Sequence, residues 1–278
     1  MHVVAVDAPG HGKTKHVNDN DLRPKVMAQR LNQFIKKKNL DKEKIHLIGW
    51  AMGGTIAGFY AAQYPDDLKL LSLVVPGMHS PITSQAFQET IDGNTNVLHP
   101  ITDEEQHRLW KIIMYKNNDF SKPVLDYIER KKLMRRKDHL TVMRTMIEDV
   151  VAKEDNLFIK EIRNIRTPTQ IIWGEKDALQ HISGADLLMS TLRHHVKRMD
   201  IVTECGHAFY AEEPYTLAGL LMAFQMDYRL NSEKWRQESN HIEEETVRSK
   251  YDSQSKKETT QKSTKPVPYK TEKLSDLT

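Results

Sequence analysis

Residues 49–54, Gly-Trp-Ala-Met-Gly-Gly, join an apolar segment to a run of small residues. The apolar segment, 45–49, has the length and composition of a buried strand. The run that follows, 51–64, is typical of a helix, and Pro65 ends it. The sequence therefore predicts an abrupt strand-to-helix turn at residues 49–54.

Glycine is expected on both sides of such a turn, because side chains at Gly49 and Gly53 would clash. The central side chain would then project from the edge of the sheet, at a helix N-terminus that favours negative charge. Glycines two residues either side of a nucleophile form the pattern of a nucleophile elbow. Here the central residue is Ala51, which has no nucleophilic atom, and the Met52 N–H would supply half of an oxyanion hole.

Strand-like segments alternate with helical patterns over much of the chain, which predicts a parallel sheet with right-handed crossovers. The five predicted strands are 2–7, 45–49, 70–76, 169–173 and 196–202. The alternation breaks between residues 77 and 165, where only helical patterns occur.

The pattern divides the chain into four parts. Residues 1–76 and 166–230 would form the two halves of the core, and 77–165 a helical insertion. The last part, 231–278, is rich in Lys, Glu, Ser and Thr, and we expect a disordered tail there because it cannot bury enough apolar surface.

Two later residues follow predicted strands and would complete a catalytic triad with position 51. Asp177 comes after the strand at 169–173, and His207 comes after the strand at 196–202. Loops at the carboxyl ends of parallel strands share one edge of a sheet, so these three positions should converge there. His207 would be the general base and acid, and Asp177 would orient its ring.

At this point the sequence resembles the α/β-hydrolase family, in its monoacylglycerol lipase branch, over residues 2–229. The motifs that carry the resemblance are Val-Asp-Ala-Pro-Gly-His-Gly at 6–12, Pro-Thr-Gln-Ile-Ile-Trp-Gly at 168–174, Ser-Gly-Ala-Asp-Leu-Leu at 183–188 and Cys-Gly-His at 205–207, together with the glycine turn.

The resemblance implies an α/β-hydrolase fold, a parallel sheet flanked by helices, with a lipid-accepting helical cap at residues 77–165. It also implies hydrolysis of monoacylglycerol and related lipid esters at a membrane. Where the family has its nucleophilic serine, this chain has Ala51. The family's first strands, the rest of its oxyanion hole and its N-terminal anchor would lie before Met1, and we expect them to be missing.

Composition limits the other possibilities. The net charge of +3 over 278 residues does not suggest a nucleic-acid partner. One cysteine, Cys205, excludes an internal disulfide framework and a cysteine-based zinc site. Neither a metal nor a cofactor is expected, and the 13 histidines, including His194 and His195, show no metal-ligand spacing. Without an anchor or signal sequence, a cytosolic or peripheral membrane location is expected.

Three weaker signals were weighed beside this interpretation. Residues 12–14, Gly-Lys-Thr, suggest a phosphate loop, but the first glycine of that motif is replaced by Asp7. Cys205 could be a substitute nucleophile, although a small packed side chain is the simpler interpretation. The six cations within Arg130–Lys137 could contact an anionic membrane, or they could form a solvated helix face.

Three hypotheses therefore stand. The chain is a relative of lipid-ester hydrolases that Ala51 has inactivated or severely impaired. Alternatively, it is a non-catalytic module that binds lipids or proteins through the retained cap. Finally, it could be a fragment that does not fold alone.

Overall fold

Four parallel strands form the centre of the computed structural model, which describes residues 2–116, 122–151, 155–192 and 196–235. In chain order they are β1 (Ile45–Trp50), β2 (Leu68–Val74), β3 (Thr169–Gly174) and β4 (Val196–Val202). They lie side by side in that order, and each neighbouring pair is parallel. The predicted parallel α/β architecture is confirmed for these four segments.

Helices precede, connect and follow the strands. They are α1 (Pro24–Lys37), α2 (Met52–Gln63), α3 (Gln85–Ile91), α4 (Asp103–Ile113), α5 (Lys122–Met134), α6 (Arg136–Met146), α7 (Leu157–Ile162), α8 (Ser183–Thr191), α9 (Phe209–Glu212) and α10 (residues 214–235). A π-helix, Ile147–Val151, follows α6 directly. Short 3-10 turns occupy Asp19–Leu22, Leu40–Lys42, Pro65–Asp67 and Thr95–Val97.

Local sequence explains where several helices begin. Pro24 opens α1, where its missing N–H costs no hydrogen bond. Thr102 and Glu105 form a reciprocal capping box at the start of α4. Every residue of β3 is buried, which is typical of a strand covered on both faces.

The predicted strand at residues 2–7 is wrong. No strand forms there, and Val3, Val4 and Val6 expose 72%, 44% and 44% of their surface. Valine favours strands, but a strand also needs a neighbour for its backbone hydrogen bonds. In the described sheet β1 is an edge that pairs only with β2, so residues 2–7 have no strand partner in the structure.

The described residues between 77 and 165 form helices and turns and no strand. The predicted closing helix, 211–230, appears as the short α9 followed by α10. Contacts divide the chain into two units, Met1–Asn231 and Ser232–Thr278. Most of the predicted tail, 236–278, lies outside the described residues, as do His194 and His195.

A chain of polar side chains crosses all four strands on one face of the sheet. His46 Nε2 lies 2.8 Å from Ser72 Oγ, and the Ser72 hydroxyl donates to Gln170 Oε1 at 2.9 Å. Gln170 Nε2 donates in turn to Asp200 Oδ2 at 2.7 Å. From α10, Gln225 Nε2 contacts His46 Nδ1 at 2.8 Å. These bonds satisfy polar groups that would otherwise be costly to bury.

Candidate active site

The turn between β1 and α2 has the backbone conformation expected of a nucleophile elbow. Ala51 has φ 50° and ψ −123°, a region that residues with a side chain rarely adopt. Its N–H donates to Val74 O at 3.0 Å, and its carbonyl accepts from Gly77 N at 3.0 Å. The turn is therefore fixed to β2 and to the segment that follows β2.

Only one of the two glycines named from the pattern is sterically required. A Cβ on Gly49 would lie 2.2 Å from the Gly53 carbonyl oxygen, so no side chain fits there. A Cβ on Gly53 would meet nothing within 4 Å, which corrects the expected clash at that position. Gly54 is the second crowded position, because its Cβ would lie 2.9 Å from Pro76.

Several residues with strained backbone conformations lie at this edge of the sheet. Among the described residues other than glycine, Ala51, Val75 and Glu204 have positive φ just after the carboxyl ends of β1, β2 and β4. The fourth, Asn39, lies away from the strand ends. Strained backbone often occurs at functional sites, where the surrounding structure maintains it.

Asp177 and His207 lie together at this edge. His207 Nδ1 is 2.8 Å from Asp177 Oδ2, and since a carboxylate only accepts, the imidazole donates. The other oxygen, Asp177 Oδ1, accepts from the N–H groups of Leu179 and Gln180 at 2.9 and 2.7 Å. Both side chains are buried, with 7% and 5% of each residue exposed. The carboxylate is thus fixed by backbone donors and can hold the ring in one tautomer.

Trp50 joins the turn to the histidine, a contact that the sequence did not reveal. Its indole Nε1 donates to the His207 carbonyl at 2.9 Å, and the two ring centroids are 5.3 Å apart. Tyr210 packs edge-on against the same indole at 5.0 Å. Trp50 directly precedes Ala51, so this contact joins the end of β1 that carries the turn to the loop that carries His207.

Glu212 is a second residue that the sequence analysis missed. Its carboxylate accepts from Gly206 N at 3.0 Å and from the backbone N–H groups of Tyr115 and Lys116 at 2.8 and 2.9 Å. The Ala208 N–H also donates to Ile113 O at 2.8 Å. The end of α4 is therefore joined directly to the loop that carries the histidine.

Met52 is the first residue of α2, so its N–H has no partner within the helix. No other described residue bonds to this N–H in the structure. It remains available at a helix N-terminus, as an oxyanion donor would be.

The remaining sequence candidates are placed differently. Cys205 is fully buried, and burial raises the pKa of its thiol to about 12, which disfavours the thiolate that a nucleophile needs. Asp7 accepts from the Lys13 N–H at 3.1 Å, so its carboxylate occupies the loop where a phosphate would bind. Across the part of the chain that the structure describes, no three His, Cys, Asp or Glu side chains gather as metal ligands.

The cationic segment Arg130–Lys137 is only partly available to a surface. Arg135 donates to Gly12 O at 3.2 Å and pairs with Asp138, and Arg136 donates to Asn96 Oδ1 at 2.9 Å. Arg130 and Lys137 are exposed. A search of the described helices found none with the length and hydrophobicity needed to cross a bilayer.

Comparison with known proteins identifies the lineage. The family described as the alpha/beta hydrolase fold matches residues 1–214. This chain belongs to the α/β-hydrolase fold family. Monoacylglycerol lipase ABHD6 of Bos taurus is 31% identical over 232 residues, which are 81% of this chain and 67% of the relative. The Homo sapiens protein of that name is 30% identical over the same shares.

Solved structures share the fold. A membrane phospholipase A superposes with a TM-score of 0.69 at 21% identity, over 80% of this chain and 69% of that one. An esterase from Thermogutta terrifontis gives a TM-score of 0.59 at 18% identity, over 80% and 78% of the two chains. The expected α/β-hydrolase fold and the resemblance to monoacylglycerol lipases are confirmed.

Proposed function

We propose that this α/β-hydrolase accepts lipid carboxylic esters, as its monoacylglycerol lipase relatives are named for doing, but cannot form an acyl-enzyme. The observation that supports this proposal most directly is the combination of an intact turn and an incomplete triad. Ala51 holds the elbow conformation, and its neighbour Trp50 contacts His207. His207 is hydrogen-bonded to Asp177, yet the side chain at position 51 is a methyl group.

The proposed defect follows from the chemistry of acyl transfer. A serine hydroxyl at position 51 would lose its proton to His207 as its oxygen attacked the ester carbonyl. With alanine there, no protein oxygen is available to form that bond. Loss of a triad nucleophile lowers kcat by about a million-fold, and the remaining rate comes from binding and the oxyanion hole. Met52 would be one donor of that hole.

Labelling with a fluorophosphonate tests the proposal. The chain as it stands should not react at residue 51, whereas the Ala51→Ser variant should be labelled there because His207 can activate the new hydroxyl. The double variant A51S/H207Q is the matched control and should lose the label. Labelling of residue 51 in the unchanged chain, or no labelling of Ala51→Ser, would refute the proposed role of this turn.

Hydrolysis and binding of a monoacylglycerol separate the two functional hypotheses. We expect a non-hydrolysable ether analogue to bind the unchanged chain, while release of fatty acid from the ester stays about a million-fold below that of an intact triad. A chain that binds the analogue and gains no hydrolysis as Ala51→Ser would instead be a lipid-binding module. The strained turn at Ala51 favours the hydrolase ancestry, because a pure binding site does not require that strain.

We propose that fewer cations of Arg130–Lys137 are available for membrane contact than the sequence predicted. Arg135 and Arg136 are half-buried and bond to other residues, whereas the side chains of Arg130 and Lys137 are exposed. Peripheral binding would therefore depend on these exposed side chains and should weaken with salt.

A further inference from the structure

An open groove lies on the helical insertion, apart from the candidate active site. It runs between α3 and the element formed by α6 and the following π-helix, and its volume is about 490 Å³. Neither Ala51 nor the Asp177–His207 pair lines it. This volume falls within the range of pockets that bind small ligands, roughly 300–1,000 Å³.

Apolar side chains from α3, α6 and the π-helix form much of the wall of this cap groove. Ile91 contributes from α3, and Leu140, Met143 and Ile147 contribute from α6 and the π-helix. Met143 is 9% exposed and the other three are half-buried. Such a surface favours the alkyl chain of a ligand, since covering it removes apolar area from water.

Two cations border the same groove. Lys137 and Arg144 are seven residues apart on α6, so they lie on one face about 10 Å apart along the axis. Lys137 is exposed and forms no ion pair with any residue that the structure describes. It also lies in the first turn of α6, where the helix dipole favours anions.

An acidic residue on the same border balances only part of this positive charge. Glu148 borders the groove, but its carboxylate bonds to Arg23 at 3.0 Å. Its distance to Arg144 Nε is 4.0 Å, and the Arg144 side chain is 64% exposed. The border of the cap groove therefore carries a net positive charge beside an apolar wall.

We infer that the cap groove binds a single-chain fatty acid, with its alkyl chain on the apolar wall and its carboxylate at Lys137. The apolar wall selects the chain, and the Lys137 ammonium, which pairs with no acidic residue that the structure describes, selects the charged end over a neutral ester. Arg144, which forms an ion pair with Glu148, would attract the carboxylate more weakly. This binding does not depend on chemistry at residue 51.

The groove is connected to the turn at Ala51 through packed residues, so a bound lipid could affect that turn. Met146, between the groove residues Met143 and Ile147, packs its Cε against Gly77. Gly77 N donates to the Ala51 carbonyl, so one side of this helical element faces the groove and the other supports the turn.

Photo-crosslinking locates the lipid directly. Palmitic acid carrying a diazirine on its chain is irradiated with the full chain, and the labelled residues are found by mass spectrometry. We expect labels on the segments 90–95 and 140–147. Lys137→Glu should reduce this labelling about tenfold. Lys111→Glu makes the same charge change on an exposed cap residue outside the groove and should leave it unchanged.

A third variant tests the apolar wall. Thr141→Trp fills the groove without a change of charge and should abolish labelling, while a cooperative thermal melt shows that the protein still folds. Labels only near Met78 and Leu179 would overturn the groove and favour binding beside the Asp177–His207 pair. Equal labelling by the diazirine methyl ester would overturn the role of Lys137. Failure of the fluorophosphonate test would leave these outcomes unaffected.

Discussion

At the scale of single residues, Ala51 shows a conflict between side chain and backbone. Its φ of 50° suits glycine, and an alanine pays about 1–3 kcal/mol to hold such a conformation. In a serine hydrolase the same strain serves to present the nucleophile, but no nucleophile is present here. The strain therefore lowers the stability of the fold at this position although there is no nucleophile for it to present.

Replacing Ala51 with glycine should consequently stabilise the fold. Relief of strain should exceed the greater backbone entropy of glycine in the unfolded chain, for a net gain of about 1 kcal/mol. Urea unfolding at neutral pH measures this difference. Ala51→Ser is the control and should change stability little, because serine retains the Cβ. A loss of stability in Ala51→Gly would show that the turn is not strained.

Sequence reasoning named some residues of the site and could not name others. Asp177 and His207 each follow a strand and fit a known order along the chain, so their proximity could be expected before the structure. Trp50 and Glu212 carry no such signal. Trp50 meets a residue 157 positions away, and the Glu212 carboxylate reaches residues 96 and 97 positions away. Such contacts depend on how the loops meet, which composition and periodicity do not encode.

At the scale of elements, the β1–α2 turn provides a matched pair of substitutions. Gly49→Ala would place its Cβ 2.2 Å from the Gly53 carbonyl oxygen, so the strand and helix would have to separate. We expect a loss of about 3 kcal/mol or more, or failure to fold. Gly53→Ala meets no atom and improves helix propensity, so it should be neutral or stabilise by up to about 1 kcal/mol.

Thermal melts of the two variants in parallel test this assignment. Equal destabilisation by both would contradict the steric difference between the two glycines. The sequence motif does not distinguish Gly49 from Gly53, because both are glycine and their contacts cannot be seen in the sequence. Only the close approach of Gly49 to the backbone of α2 distinguishes them.

At the scale of the whole molecule, the polar chain across the sheet links folding to pH. Burial, with a smaller contribution from Lys69, lowers the pKa of His46 to about 4, from an ordinary value of 6.5. The folded state therefore favours the neutral ring, and the unfolded state binds a proton first as the pH falls. The contribution of His46 to stability is complete above pH 6.5 and is lost between about pH 6.5 and 4.

The loss amounts to at most about 3 kcal/mol, because each pKa unit is worth 1.36 kcal/mol. Urea unfolding across pH 4–7 measures it, and His46→Gln should show a shallower decline because glutamine does not titrate. Since the other histidines are unchanged in the variant, the difference between the two curves isolates His46. Identical slopes would mean that His46 keeps an ordinary pKa in the folded protein.

Strand pairing and contacts between strands could be predicted only in part from local sequence patterns. The four strands from residue 45 onward were predictable because buried apolar runs alternate with helices. The segment 2–7 has an equally apolar pattern, yet it forms no strand, because pairing depends on the presence of a neighbour. The polar chain was not foreseen either, since His46, Ser72, Gln170 and Asp200 lie on four different strands and meet only through their register.

The indole of Trp50 gives the protein an internal optical probe. Because its ring lies 5.3 Å from the His207 imidazole, its emission should change when that side chain moves or when a ligand binds beside it. Subtracting the spectrum of a Trp50→Phe variant would remove the signal of the three other tryptophans. Binding of a ligand beside His207 could then be followed with a fluorimeter alone, without turnover or an added dye.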